Sequence, residues 1–230
     1  MQLSTILEHL TYGELKQMSV GGYEGGAIAP ANYPEVFGHI NLALAQLYTR
    51  FPVKESSLVL MLKENIFEYF LRPEFALSQN PDGYIVDTVE NPFVANIGRI
   101  EAAMDTTGNK ITLNKEDTDF PIVVSSFDRL NIPSAVGDEL ITLHYRTKPT
   151  LLTLTTALDD DIYLPYSLLE PLLAYVEYRV HKSRGGEAGI AASFAAKQQY
   201  EFLCGQLEKD NVLNTAPTRL TSKFEDRGFV

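Results

Sequence analysis

The chain has 230 residues, 45% of them hydrophobic and 21% charged, which allows one large domain or two small ones with a real core. Its formal net charge of -11 argues against a general nucleic-acid binder, which needs a basic face to release counterions, yet suits a surface past which DNA slides without sticking. The single cysteine, Cys204, rules out an intrachain disulfide and a cysteine-based zinc site, and points to synthesis in a reducing cytosol.

No apolar run approaches the ~20 residues of a membrane span, and the opening MQLSTILEHL lacks the basic stretch that precedes a secretory apolar segment. Residues 1–20 read as one or two short helices, with Ile6, Leu7 and Leu10 as apolar positions of the first. Thr11-Tyr12-Gly13-Glu14 has the spacing of a capping box, with Leu15 and Met18 following on one face. Gly21, Gly22, Gly25 and Gly26 then give a loop. It has neither the Lys-Ser/Thr of a phosphate loop nor the preceding strand of a dinucleotide site, so a connector is expected.

Val36, Ile40, Leu44, Leu47 and Phe51 predict a helix from Tyr33 that stops at Pro52. Ser57–Leu62 and Ile66–Leu71 flank the polar Lys63-Glu64-Asn65 and predict a β-hairpin. Arg99–Met104, the turn Asp105–Asn109 and Lys110–Asn114 read as strand, turn, strand. Pro121–Phe127, Arg129–Ile132 and Glu139–Arg146 add three short β segments. In the last of these, Leu140, Thr142 and His144 fall on one face and Ile141, Leu143 and Tyr145 on the other.

Tyr163–Asp210 reads as two helices joined at Gly185-Gly186. Leu169, Leu173, Val176 and Val180 line the first, widened by Leu172. Pro171, which lacks an N–H donor, is expected to open the main helix or kink it one turn in, and Pro165 to start a shorter turn ahead of it. Ala188, Ala191, Ala192 and Ala195 give the second a thin face, followed by Phe202, Leu203 and Leu207, and predict a tight αα-hairpin. The last twenty residues have no helical period and, extended at ~3.3 Å per residue, reach on the order of 65 Å. Arg219, Phe224, Arg227, Phe229 and Val230 make this an arm with the aromatic and arginine anchors of a docking segment.

The expected class is α+β. Residues 1–56 and 160–210 form an antiparallel helical bundle, 57–159 a small antiparallel β insertion, and 211–230 an extended C-terminal arm. His9, His39, His144 and His181 are scattered, with no metal-ligand spacing and no nucleophile elbow. The acidic runs Lys115–Asp119 and Asp159–Asp161 lack the glycine and closing glutamate of a calcium loop and read as solvated loops. No catalytic constellation, cofactor or metal site is expected.

Phrases along the chain resemble, in order, the head-to-tail adaptor (connector) proteins of short-tailed bacteriophages. They are Leu10–Leu15, Ile40–Leu44 through Leu47–Phe51, Arg99–Glu101 to Gly108-Asn109, Leu113-Asn114, Leu143–Arg146, Tyr175–Val180 and Phe224–Val230. The glycine-rich loop and the acidic runs are not part of the match.

The resemblance implies a structural virion protein in the neck at the portal vertex. Such proteins form a ring, usually dodecameric, below the portal protein, continue the DNA channel and give the tail nozzle or tail tube a surface to attach to. It implies a helical bundle packed side by side with its neighbours through Leu169, Leu173, Val176, Val180, Ala188, Ala192 and Ala195. It further implies an arm carrying Arg219, Phe224, Arg227, Phe229 and Val230 onto the portal. DNA passes without specific binding, and no membrane is involved. Two other readings stay open: a binding module that uses the β insertion as its ligand or protein surface, and a small hydrolase whose residues converge only in three dimensions.

Overall fold

The computed structural model describes residues 1–16, 28–115, 121–132 and 139–213; the glycine-rich loop and the C-terminal arm lie outside them, as does most of the first acidic run. Helix α1 (Leu3–Tyr12) buries Leu3, Ile6, Leu7 and Leu10, a 3–4 spacing that puts all four on one side. It has no side-chain N-cap. The backbone N–H groups of Leu3 and Ser4 donate instead to the carbonyls of Asp160 and Leu158, at 3.1 and 2.7 Å. The capping box expected at Thr11 does not form: Thr11 lies inside the helix, where its hydroxyl donates back to the Leu7 carbonyl at 2.7 Å. Gly13 ends the helix, and a Cβ there would sit 2.6 Å from the His9 carbonyl oxygen.

Helix α2 (Tyr33–Arg50) buries Val36, Ile40, Leu44 and Leu47, with Phe51 just beyond its end, as its sequence period predicts. Helices α3 (Leu169–Arg184) and α4 (Gly186–Lys209) meet at Gly185 and Gly186, whose φ values of 66° and 73° carry the chain through left-handed backbone that side chains disfavour.

Among the described residues, eight strands lie between α2 and α3: β1 (Glu55–Met61), β2 (Glu68–Phe70), β3 (Ile85–Val86), β4 (Ile97–Met104), β5 (Lys110–Ile111), β6 (Val123–Ser126), β7 (Arg129–Asn131) and β8 (Leu140–Thr147). They form two antiparallel sheets, one ordered β3-β1-β8-β4-β5 and the other β2-β7-β6. In β8 the buried residues are Ile141, Leu143, Tyr145 and Thr147, the face the sequence alternation assigns to Ile141, Leu143 and Tyr145. The strand-turn-strand expected at 99–114 forms as β4 paired with β5, Ala103 opposite Ile111.

The hairpin expected around Lys63–Asn65 does not form. β1 pairs with β8 along its length, from Glu55 opposite Arg146 to Met61 opposite Leu140, while β2 pairs with β7, Tyr69 opposite Leu130. The short β2 offers β1 few cross-strand pairs, whereas β8 matches it residue for residue. The turn thus passes the chain from one sheet to the other, and the Tyr69 hydroxyl accepts the Lys63 N–H at 3.0 Å.

The fold class is therefore α+β, but not a helical bundle with a small β insertion. The two sheets enclose a core of their own that includes Leu60, Leu62, Tyr69, Ile85, Leu130 and Leu143. The helices share a separate core in which α1, α2 and α4 each pack on α3. A bundle needs every helix to give an apolar stripe to one axis. α4 gives that core only Tyr200 and Cys204 as buried residues, both from its C-terminal half.

Candidate functional site

Two surfaces stand out, one on α4 and one where the two cores meet. On α4 the buried positions are Ser193, Ala196, Tyr200 and Cys204, with Gly189 close enough to α3 that a Cβ would lie 3.2 Å from the His181 carbonyl oxygen. At about 100° per residue, Ala191, Phe194, Ala195, Gln198 and Phe202 lie on the side away from that seam, with Ile190 on its flank. Ile190 and Phe194 are each 64% exposed and Phe202 59%, so large apolar side chains stand along the outside of the helix, with Gln198 among them and Glu187 and Lys209 at its two ends.

The residues expected to pack a ring divide between two environments. Leu169, Leu173, Val176 and Val180 are buried in the chain's own core; Ala192 is half-buried, and Ala188 and Ala195 are exposed. The alanines therefore do not form the α3–α4 seam, which runs about a third of a turn away along Ser193, Ala196, Tyr200 and Cys204. Arg219, Phe224, Arg227, Phe229 and Val230 lie outside the described residues.

At its C-terminal end α4 is fastened to α2. Arg50 Nε lies 2.7 Å from Glu208 and its Nη1 2.6 Å from Glu201, while its guanidinium sits 5.9 Å from the centre of the Tyr200 ring. The hydrogen bond from Arg50 holds the Glu208 carboxyl below the usual carboxylate range. Burial pushes the Cys204 thiol up, which leaves it a packing residue rather than a nucleophile.

The second surface is a cleft of about 1130 Å³ between the helical and β cores. Its walls include Leu44, Tyr48, Lys54, Val94, Lys148, Leu151 and Tyr163. The segment after β8 closes one side and is held by Asn41, which donates to the Leu152 carbonyl at 2.9 Å and accepts the Leu152 N–H at 2.8 Å. Tyr48 donates its hydroxyl to the Tyr163 carbonyl at 2.7 Å, and burial beside Tyr163 pushes that hydroxyl's pKa up to about 12, so it remains a donor at neutral pH. Val94 and Leu151 on the rim are 63% and 64% exposed. Both come from irregular segments, where no period marks them in the sequence.

The histidines occupy separate places. His9 lies on α1 and His144 on β8, while His39 and His181 lie 3.6 Å from Glu35 and Glu177, one helical turn away on their own helices. Burial lowers the pKa of both His39 and His181, for His39 against the raising effect of Glu35. In the second acidic run Asp160 accepts the Ala157 N–H at 2.9 Å, making a local turn. Among the described residues no group of three or more His, Cys, Asp or Glu is placed to hold a metal ion, and no helix is long and apolar enough to cross a membrane.

No protein-family model matches the chain, and no curated protein matches it in sequence.

Proposed function

We propose that the chain is a structural adaptor of a bacteriophage neck. Copies stand side by side as a ring, a dodecamer by the family's habit, below the portal protein at one capsid vertex. The ring continues the DNA channel and presents a surface to the tail nozzle or tail tube. The observation that carries this reading is the outer side of α4, where the large apolar side chains Ile190, Phe194 and Phe202 are exposed on a helix already fastened to its own chain through Ser193, Ala196, Tyr200 and Cys204. Repetition of one such contact by rotation closes a ring.

The ordered phrases shared with the adaptor family add to this, and so does the net charge of -11, which keeps phosphate from sticking to the lumen. The family's helical bundle does not add to it, because this chain forms a different helical arrangement. In this reading Leu169, Leu173, Val176 and Val180 hold the wall's shape, Ala188 and Ala195 flank the contact, and Arg219, Phe224, Arg227, Phe229 and Val230 dock on the portal.

The test is to mix the chain with the portal protein of the same phage. Deleting Thr215–Val230 abolishes attachment and leaves a folded monomer; attachment by the deletion variant contradicts the arm's role. The cleft between the cores favours a second reading, a binding module that takes its ligand beside the β sheets. On that reading the deletion has no effect.

A further inference from the structure

We propose that the cleft between the two cores is a docking site for residues 214–230 of the same chain. This goes beyond the adaptor reading and does not depend on it.

The first argument is position. Arg50 pairs with Glu201 and Glu208 and so fixes the end of α4 beside the end of α2. Lys54, in the cleft wall, is four residues after Arg50, at most about 15 Å along the chain. Leu213 is five residues past Glu208, so the segment that follows it starts within a short reach of the cleft. At ~3.3 Å per residue, residues 214–230 span about 55 Å, more than the distance requires.

The second argument is charge. The Thr147 N–H donates to the Lys54 carbonyl at 2.9 Å, which brings the backbones of Lys54 and Lys148 close together, and both residues line the cleft. Their ammonium groups rest on aromatic rings, Lys54 Nζ 5.1 Å from the centre of Tyr163 and Lys148 Nζ 3.9 Å from that of Phe127. The segment offers two consecutive carboxylates, Glu225 and Asp226, to this pair of cations, and Arg227 to the exposed Asp161 of the same cleft, whose carboxylate also lies 3.5 Å from the N-terminal amine.

The third is apolar surface. Val94, Leu151 and Tyr163 are more than half exposed on the rim, and Phe224 and Phe229 bracket the acidic pair, so docking covers them while the charges meet. If the chain is an adaptor, the portal has to compete with the cleft for the arm, and attachment releases it.

The experiment uses the full isolated chain, with no portal present, so its failure is distinct from failure of the adaptor reading. Thr150→Cys, exposed at the cleft, is combined with Ser222→Cys in the segment; the native Cys204 is buried. Intrachain disulfide formation in a glutathione buffer is followed by mass spectrometry. It is compared with Ser222→Cys combined with Glu187→Cys, exposed at the far end of α4.

The expected result is at least a tenfold faster bridge to position 150. Reversal of both lysines (K54E with K148E) slows it toward the control rate, and E225K with D226K restores it. E225K with D226K alone makes the same test on a chain that keeps Lys54 and Lys148. Equal rates at the two positions, or indifference to the charge reversals, overturn the proposal. Disulfides that form mainly between copies overturn it in favour of a second molecule's segment as the occupant.

Discussion

Helices α3 and α4 are neighbours in sequence and in space, yet they reach stability by different routes. α3 has 16 residues and buries Leu169, Leu172, Leu173, Ala174, Val176 and Val180. α4 has 24 and buries only Ser193, Ala196, Tyr200 and Cys204. A helix in water gains most of its stability from tertiary burial, so α3 is completed by its own chain. α4 leans on α3 through Ser193, Ala196, Tyr200 and Cys204 and leaves Ile190, Phe194 and Phe202 exposed. The difference teaches that the longer helix presents apolar side chains that no other described residue of the chain covers.

The strongest way to break this comparison is to truncate each helix. Leu172, fully buried, becomes a cavity as Leu172→Ala and costs about 2–5 kcal/mol, read as a fall in the urea midpoint. Phe194→Ala, made in the exposed face, changes stability by less than about 0.5 kcal/mol. A cost for Phe194→Ala approaching that of Leu172→Ala would show the outer face to be covered within the chain.

Next in size is a polar contact of the β core. The Tyr84 hydroxyl accepts the Phe70 N–H at 2.7 Å and donates to the Phe70 carbonyl at 3.0 Å, so Tyr84→Phe leaves both without that partner and costs about 1–3 kcal/mol. Because the β core is separate from the helical one, the loss appears as local opening of β2 and β3 by hydrogen exchange, with α3 unchanged.

Smaller is the clasp at the end of α4. Arg50→Ala costs about 1 kcal/mol or less at neutral pH, because Glu201 and Glu208 are half exposed and solvent screens the pair. The sign with pH follows from Glu208, whose carboxyl is held below its ordinary value. The contribution is complete above the unfolded glutamate pKa of about 4.3 and is lost as pH falls through the lower folded value. The gap between wild type and Arg50→Ala in chemical denaturation therefore narrows below about pH 4.

The least effect is at Glu177, whose pKa burial raises, with Glu14 adding to the shift. Here the folded state prefers the proton, so stability falls as pH rises from the unfolded pKa through the folded one. Glu177→Gln accordingly stabilises by less than about 1 kcal/mol at pH 7, and the gain disappears near pH 4.

Much of the fold was legible because its signals are local. The period of Val36, Ile40, Leu44 and Leu47, the glycine pair at 185–186 and the alternation in β8 each report the immediate surroundings of the chain. Partner choice was not legible. β1 takes β8, some eighty residues away in sequence, because their lengths match, and no residue in Ser57–Leu71 marks that preference. β3 is two residues long, too short to carry a period.

The candidate surfaces follow the same rule. The two faces of α4 are written in its sequence, but four alanines at neighbouring angles drew the seam to the wrong side. Which face meets α3 is decided by the close approach at Gly189 and by the edge-to-face contact of Tyr175 with Tyr200, 5.1 Å between ring centres. The cleft is made by segments distant in sequence, with Lys54 and Lys148 brought together only by the pairing of β1 with β8.

The central claim, that the outer face of α4 is a wall between copies in a portal-bound ring, is tested most directly by electron microscopy of the full chain mixed with its phage's portal protein. The comparison is wild type against Phe194→Glu. The account predicts a closed ring of density below the portal with wild type and none with Phe194→Glu, although both chains unfold at the same urea concentration. No ring with wild type, or an unchanged ring with Phe194→Glu, would contradict it.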